Sequence, residues 1–197
     1  MPSGRIDQTF YLGPNSSPEA FNSTVLYKPG ELGGQIQLGS KAYQLVLLDS
    51  GATASTGAGV PLCGHTAFWK NRSTYTVTND KAQAETVAGD SRNSVCGVFN
   101  SLTSGAAATA SATPGNYCFV QQRGTHVGIL TNGSAAAAGG TLVPVASGTS
   151  ATAAVVTVAA GTAPTCVVVG IATAATGAVT ANYTPARLGG WDIVDQP

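Results

Sequence analysis

The chain has 197 residues, with nine Lys and Arg against nine Asp and Glu, so its formal net charge is zero. Charged residues make up only 9% of it, against roughly 25% in an average soluble domain. That balance excludes a broad basic field for nucleic acid or an anionic membrane, and the low net charge argues against ordinary disorder.

The length suits one domain, or one domain with an arm, with a core that buries about 70% of the unfolded surface. There is no apolar run of about 18 or more residues, so no segment is expected to span a bilayer. Met1-Pro2-Ser3-Gly4-Arg5 opens no apolar stretch, which predicts production without classical export.

Residues 1–40 differ from the rest of the chain. They hold Pro2, Pro14, Pro18 and Pro29 and scattered large apolar residues, among them Ile6, Phe10, Tyr11, Leu12, Phe21, Val25, Leu26 and Tyr27. No period of 3.6 or 2.0 survives those prolines, so the segment reads as an extended arm. Its aromatics need a surface, either the chain's own domain or a neighbouring subunit. Phe10, Tyr11, Leu12, Phe21 and Tyr27 are the candidate contact residues.

Residues 41–197 read as a β-rich domain. Ala42 to Leu48 is a buried strand candidate turned by Asp49-Ser50-Gly51, and after a small-residue loop Phe68, Trp69, Tyr75 and Val77 mark a second strand region. Lys70 and Arg72 interleave with those aromatics, a pattern compatible with nucleic acid but, with two charges, better read as strand surface. Thr78 to Gly89 is predicted to hold one short helix, capped by Thr78 or Asn79 with Lys81 to Val87 as its body. Ser94 to Phe99 and Asn116 to Leu130 then form a paired set of strands around which the rest is placed.

Further on, Ala135 to Ala138 is too short to nucleate a helix and is expected in a hairpin loop. Thr141 to Val145, Ala151 to Ala160 and Thr165 to Thr173 come next as short strands punctuated by Gly and Pro. Val167-Val168-Val169-Gly170-Ile171-Ala172 repeats the glycine-broken apolar pattern of Val95 to Phe99, so the two either pair or occupy similar places in one core. Ala174 to Val179 turns the chain toward a tail that docks through Trp191. The sum is a mainly β fold, a sandwich or barrel-like domain with an extended N-terminal arm.

From Gly124 to Ala186 there is no Asp, Glu, Lys or Arg. Such a surface tolerates lying against another protein, as in an assembly subunit; the alternative is a bland β domain. Cys63, Cys96, Cys118 and Cys166 form no Cys-x-x-Cys pair, and three of them sit in apolar strand candidates. Buried thiols are expected, rather than disulfides.

Candidate chemistry is sparse. Leu45-Val46-Leu47-Leu48-Asp49-Ser50-Gly51-Ala52 resembles the active-site stretch of retroviral-type aspartic proteases, in which paired chains share one proton between two aspartates. The resemblance implies Asp49 as the catalytic residue of a homodimer, yet Asp-Ser-Gly is also what a turn selects. Cys63-Gly64-His65 would begin a metal site, but His126 is the only other histidine and no ligand set results. No Gly-x-Ser-x-Gly elbow and no phosphate loop is present. The expectation is therefore no catalytic residue, no metal and no cofactor.

Over residues 43–172 the chain resembles the decoration, or cement, proteins of tailed-bacteriophage capsids. The resemblance rests on Tyr43 to Ala52, Ala67-Phe68-Trp69-Lys70, Tyr75 to Asp80, Asn93 to Phe99 and Pro114 to Gln122. It implies a structural virion protein on the capsid exterior, assembled in the host cytoplasm. It also implies that this subunit binds and stabilises the major capsid protein lattice, often as a trimer. A fibre or adhesin module binding host glycans is a third reading, and it would expose Trp69 and Trp191 together.

Overall fold

The computed structural model describes residues 32–49, 64–99, 117–133, 135–145, 154–159, 162–177 and 183–189. In chain order the strands are β1 (Gln35–Leu38), β2 (Lys41–Leu48), β3 (Thr66–Asn71), β4 (Thr76–Thr78), β5 (Val95–Phe99), β6 (Tyr117–Leu130), β7 (Thr141–Pro144), β8 (Val155–Thr157), β9 (Gly170–Ala172) and β10 (Tyr183–Leu188). The molecule is mainly β, as its composition predicts. Gln35–Leu38, from the last part of the proline-rich segment, is already sheet: β1 pairs antiparallel with β2.

Five strands close on themselves. β2 pairs along one edge with β6, from Ala42 opposite Arg123 to Leu47 opposite Tyr117. Its other edge is shared, β1 taking the first half and β4, in parallel, taking Leu47 and Leu48. β4 pairs with β3, β3 with β5, and β5 with β6, all antiparallel. The circuit β2-β4-β3-β5-β6-β2 is a closed barrel, which removes the free edges an open sheet of these apolar strands would leave. Alternation fills it: Val46 and Leu48 of β2, Ala67 and Trp69 of β3, and Cys118 and Val120 of β6 share one core with Phe99. Tyr43, Leu45 and Phe119 point to the opposite face and pack with Leu32 and Tyr117.

The second circuit begins where the first lets go of β6. The far half of β6 pairs with β10, β10 with β9, β9 with β7 and β7 with β8. β8 returns to the end of β6 through a parallel bridge between Val155 and Thr131, where the Asn132 amide donates to the Val155 carbonyl at 3.1 Å. β6 is thus the strand both circuits share, and the pairing of β5 with β6 expected from the sequence is present at Val98–Gln121 and Phe99–Val120. The second core holds Ile129, Leu142, Val155, Val169, Ala186 and Leu188. Phe68, Val95 and Val98 of the barrel wall join it from the other side. A register shift between Ala67 and Phe68 makes this possible, because it leaves Cys96 unpaired with β3 and turns Val95 and Val98 to the same face.

The two glycine-broken runs do not pair. They meet across the second core, where Val95 and Val98 pack with Val167, Val169 and Ala172. Their glycines serve the same purpose: a Cβ on Gly97 would lie 2.6 Å from the Gln121 carbonyl oxygen, and one on Gly170 would lie 2.6 Å from that of Arg187.

Three sequence expectations change. The helix predicted within Thr78 to Gly89 is a single 3-10 turn, Lys81–Gln83, capped by Asp80, whose carboxylate accepts from the Ala82 amide at 3.0 Å. Beyond it the backbone bonds elsewhere: the Glu85 amide donates to the Trp69 carbonyl on β3, and Val87 and Asp90 close a tight turn on each other. The alanine run is no hairpin loop, since β7 pairs with β8 and β9; Ala136 bridges Thr176 and is buried in the second core. Of Thr165 to Thr173, only Gly170–Ala172 is strand.

Where β6 passes from one circuit to the other its ladder skips Gln122, and Gln121 secures the irregular stretch. Its side-chain amide donates to the carbonyls of Arg123 and Thr125, both at 3.0 Å. Gln121 is 1% exposed, so a Gln121→Leu variant removes a buried donor from two acceptors. It is expected to lose about 2 kcal/mol in denaturant unfolding, with the unfolding slope unchanged.

Candidate interaction surface and cleft

The residues singled out in the N-terminal segment, Phe10, Tyr11, Leu12, Phe21 and Tyr27, lie outside the described residues, as do Ser50, Gly51, Cys63 and Trp191. Asp49 comes directly after β2, its amide donating to the Val77 carbonyl at 2.9 Å. Its carboxylate accepts from Lys70 Nζ at 2.7 Å. A protease dyad needs a second carboxylate to share a proton with, whereas the carboxylate here is held by a cation. The same bond ties down one of the two basic residues that interleave with aromatics; the other, Arg72, is held through Nε by Glu85. These charges belong to ion pairs on the barrel wall.

Both histidines are buried. His65 is 4% exposed, with Nδ1 3.3 Å from Asn79 Nδ2, and burial pushes its pKa down to about 4. His126 receives the Gly128 amide at Nδ1 and so carries its proton on Nε2, which donates to the Phe99 carbonyl at 3.2 Å. Burial pushes this imidazole down to about 4 as well, against the weaker opposing effect of those two backbone contacts. Among the described residues no three His, Cys, Asp or Glu side chains come close enough to hold a metal. Cys96 and Cys118 are free thiols sealed in the barrel core, as the sequence predicts, and burial pushes Cys118 up to about 12. Cys166 is also a free thiol but is only half-buried.

Residues 80–92 form a charged seam that no sequence motif marks. Lys81 is turned inward and donates from Nζ to the Val145 carbonyl at 2.6 Å; burial lowers its pKa, and the Arg92 charge adds to that. Arg92 grips Asp90 by Nη2 at 2.6 Å and Nε at 2.7 Å, and that hydrogen bond holds the Asp90 carboxyl below its usual range. The one signal in the sequence is local density: Asp80, Lys81, Glu85, Asp90 and Arg92 crowd together in a chain otherwise poor in charge.

Beside this seam is a cleft of about 510 Å³ between the barrel wall and the segment leading to β9. Trp69 and Val95 line it from the barrel, and Thr165, Cys166 and Val167 line it from the opposite side. Trp69 is 8% exposed and meets Tyr75 edge to face at 6.3 Å, so it is a wall and not the free platform that the glycan-module reading requires.

On the other side of the second circuit is an open sheet face. Thr125, Arg187, Ile171 and Thr141 stand opposite one another across β6, β10, β9 and β7. Ile171 is 49% exposed, and Val127, two residues along β6, is 42% exposed. Arg187 is the one charged residue in this row. Two large apolar side chains thus stand in water on a sheet face that carries little charge.

No helix among the described residues is long and apolar enough to cross a membrane. No protein-family model and no curated protein matches the chain.

Proposed function

We propose that the chain is a structural virion protein that binds the outer surface of a phage capsid and stabilises the major capsid protein lattice. The observation that carries this reading is the exposed, nearly uncharged sheet face centred on Ile171 and Val127. Apart from Arg187, it lies in a stretch, Gly124 to Ala186, without any Asp, Glu, Lys or Arg. A β-barrel that fixes the shared strand β6 from both edges is a suitable mount, because it holds the face rigid while the contact supplies the binding energy. The sequence resemblance to capsid decoration proteins points the same way and favours a homo-oligomer, trimeric by that analogy, on the capsid exterior. On this reading the aromatics Phe10, Tyr11, Phe21 and Tyr27 add apolar contact, each worth about 1.5–3 kcal/mol if fully buried.

The test is co-sedimentation with expanded capsids and a count of copies per major capsid protein. Saturable binding at a fixed ratio is expected, and deletion of residues 1–30 should weaken it. Absence of the protein from pelleted capsids at saturating concentration overturns the assignment, and unchanged binding after the deletion removes the arm from it.

A further inference from the structure

We infer that the cleft beside Trp69 is a binding site for a small amphipathic carboxylate, with the apolar body between the two circuits and the anionic end at Arg72. Its volume, about 510 Å³, falls within the range of small-molecule sites. Apolar atoms of Trp69, Val95 and Val167 make up much of the wall, so a ligand gains by burying hydrocarbon there.

The state of the polar groups decides the ligand's other end. Gln122 is fully engaged, donating to Gln44 Oε1 at 2.6 Å and to the Cys96 carbonyl at 3.2 Å while accepting from Gln35 Nε2 at 3.2 Å. Asn93 donates to the Val87 carbonyl at 3.2 Å and accepts from the Val167 amide at 3.1 Å. A sugar, which needs many free donors and acceptors at once, would find these amides already committed. Arg72 differs: Glu85 holds its Nε, while its terminal amino groups make no hydrogen bond among the described residues. Thr165 on the opposite lip is exposed and offers its hydroxyl to the cleft mouth. Among the described residues that line the cleft none is acidic, Glu85 reaching Arg72 from outside the lining. The terminal amino groups of Arg72 that Glu85 leaves open, at the mouth above an apolar interior, match a ligand with one anionic acceptor group and a hydrocarbon body.

The probe pair is 4-phenylbutyrate and its neutral counterpart 4-phenylbutyramide, titrated into the full chain at up to millimolar concentration. Binding is read from the Trp69 indole N–H resonance, assigned with Trp191→Phe. The acid should shift that resonance saturably and bind about fivefold more tightly than the amide, the effect of one half-exposed ion pair. Arg72→Gln should bring the two compounds level. Thr165→Trp, at an exposed residue on the lip, should abolish binding of both and leave the melting temperature unchanged, which separates loss of the site from loss of the fold. Three results would each overturn the inference: no saturable shift of Trp69 with either compound, equal affinities in the unaltered chain, or a preference for the acid that survives Arg72→Gln. Capsid binding plays no part in the readout, so this outcome is independent of the proposed function.

Discussion

Gly124→Ala is expected to destabilise the protein by roughly 3–5 kcal/mol, the sum of a strained backbone and an overpacked contact. Gly124 sits in β6 just past the skipped Gln122, where the strand leaves β2 and begins to pair with β10. Its φ is +90°, which side chains other than glycine rarely adopt, and a Cβ there would lie 2.7 Å from the Ser40 carbonyl oxygen and 2.9 Å from Lys41 Cα. Both obstacles are backbone atoms, so no rotamer change relieves them. The damage falls on the one strand that belongs to both circuits, and both should therefore melt together. Denaturant unfolding followed by tryptophan fluorescence and by far-ultraviolet dichroism checks this. A loss below about 1 kcal/mol, no more than an average point substitution costs, would show that the strand does not turn on this residue.

Acid should begin to destabilise the protein well above the range in which carboxylates titrate. His65 and His126 have folded-state pKa values of about 4, lowered by burial from 6.5. An unfolded chain takes up protons near 6.5 that the folded chain refuses, so stability is complete above that pH and declines as pH falls from about 6.5 toward 4. Below the folded values both states are protonated and this loss levels off. Each pKa unit corresponds to about 1.4 kcal/mol, so each histidine removes roughly 2 kcal/mol by pH 5 and the pair roughly twice that. Asp90, held down by Arg92, adds its loss only below its ordinary value of 3.8, outside this window. Urea unfolding at pH 7, 6 and 5 should give a slope approaching two protons, and His126→Gln should halve it. A stability that stays flat between pH 7 and 5 would mean that the buried imidazoles are reached by water.

The parts of the fold that could be read from the chain are those set by local pattern. β-branched and aromatic residues from Tyr117 to Leu130 marked β6, and the turn-bounded run ending at Phe99 marked its partner. β10 escaped notice because Pro185 interrupts it. Proline gives no amide to a ladder, and the sheet accommodates it with a register shift between Thr184 and Ala186, while the Pro185 carbonyl accepts from the Thr173 amide at 2.8 Å. The predicted helix failed for a related reason. Lys81 satisfies helix propensity, but its ammonium is drawn inward to the Val145 carbonyl, a contact 64 residues away that no local pattern encodes.

The cleft and the open face were hidden in the same way. Trp69 and Cys166 are nearly a hundred positions apart, and only closure of the two circuits on a common strand brings them together. The row from Thr125 to Thr141 likewise needs the order β6-β10-β9-β7, in which only β9 and β10 are neighbours along the chain as well. What the composition did carry was the absence of charge from Gly124 to Ala186, and the exposed row falls almost wholly within that stretch. Capsid attachment through this face makes one demand that can be measured directly. A Val127→Asp, Ile171→Asp double variant changes only exposed side chains and should fold normally, yet it should fail to pellet with expanded capsids under conditions where the unaltered protein saturates them. Equal occupancy by the variant would contradict attachment through this face.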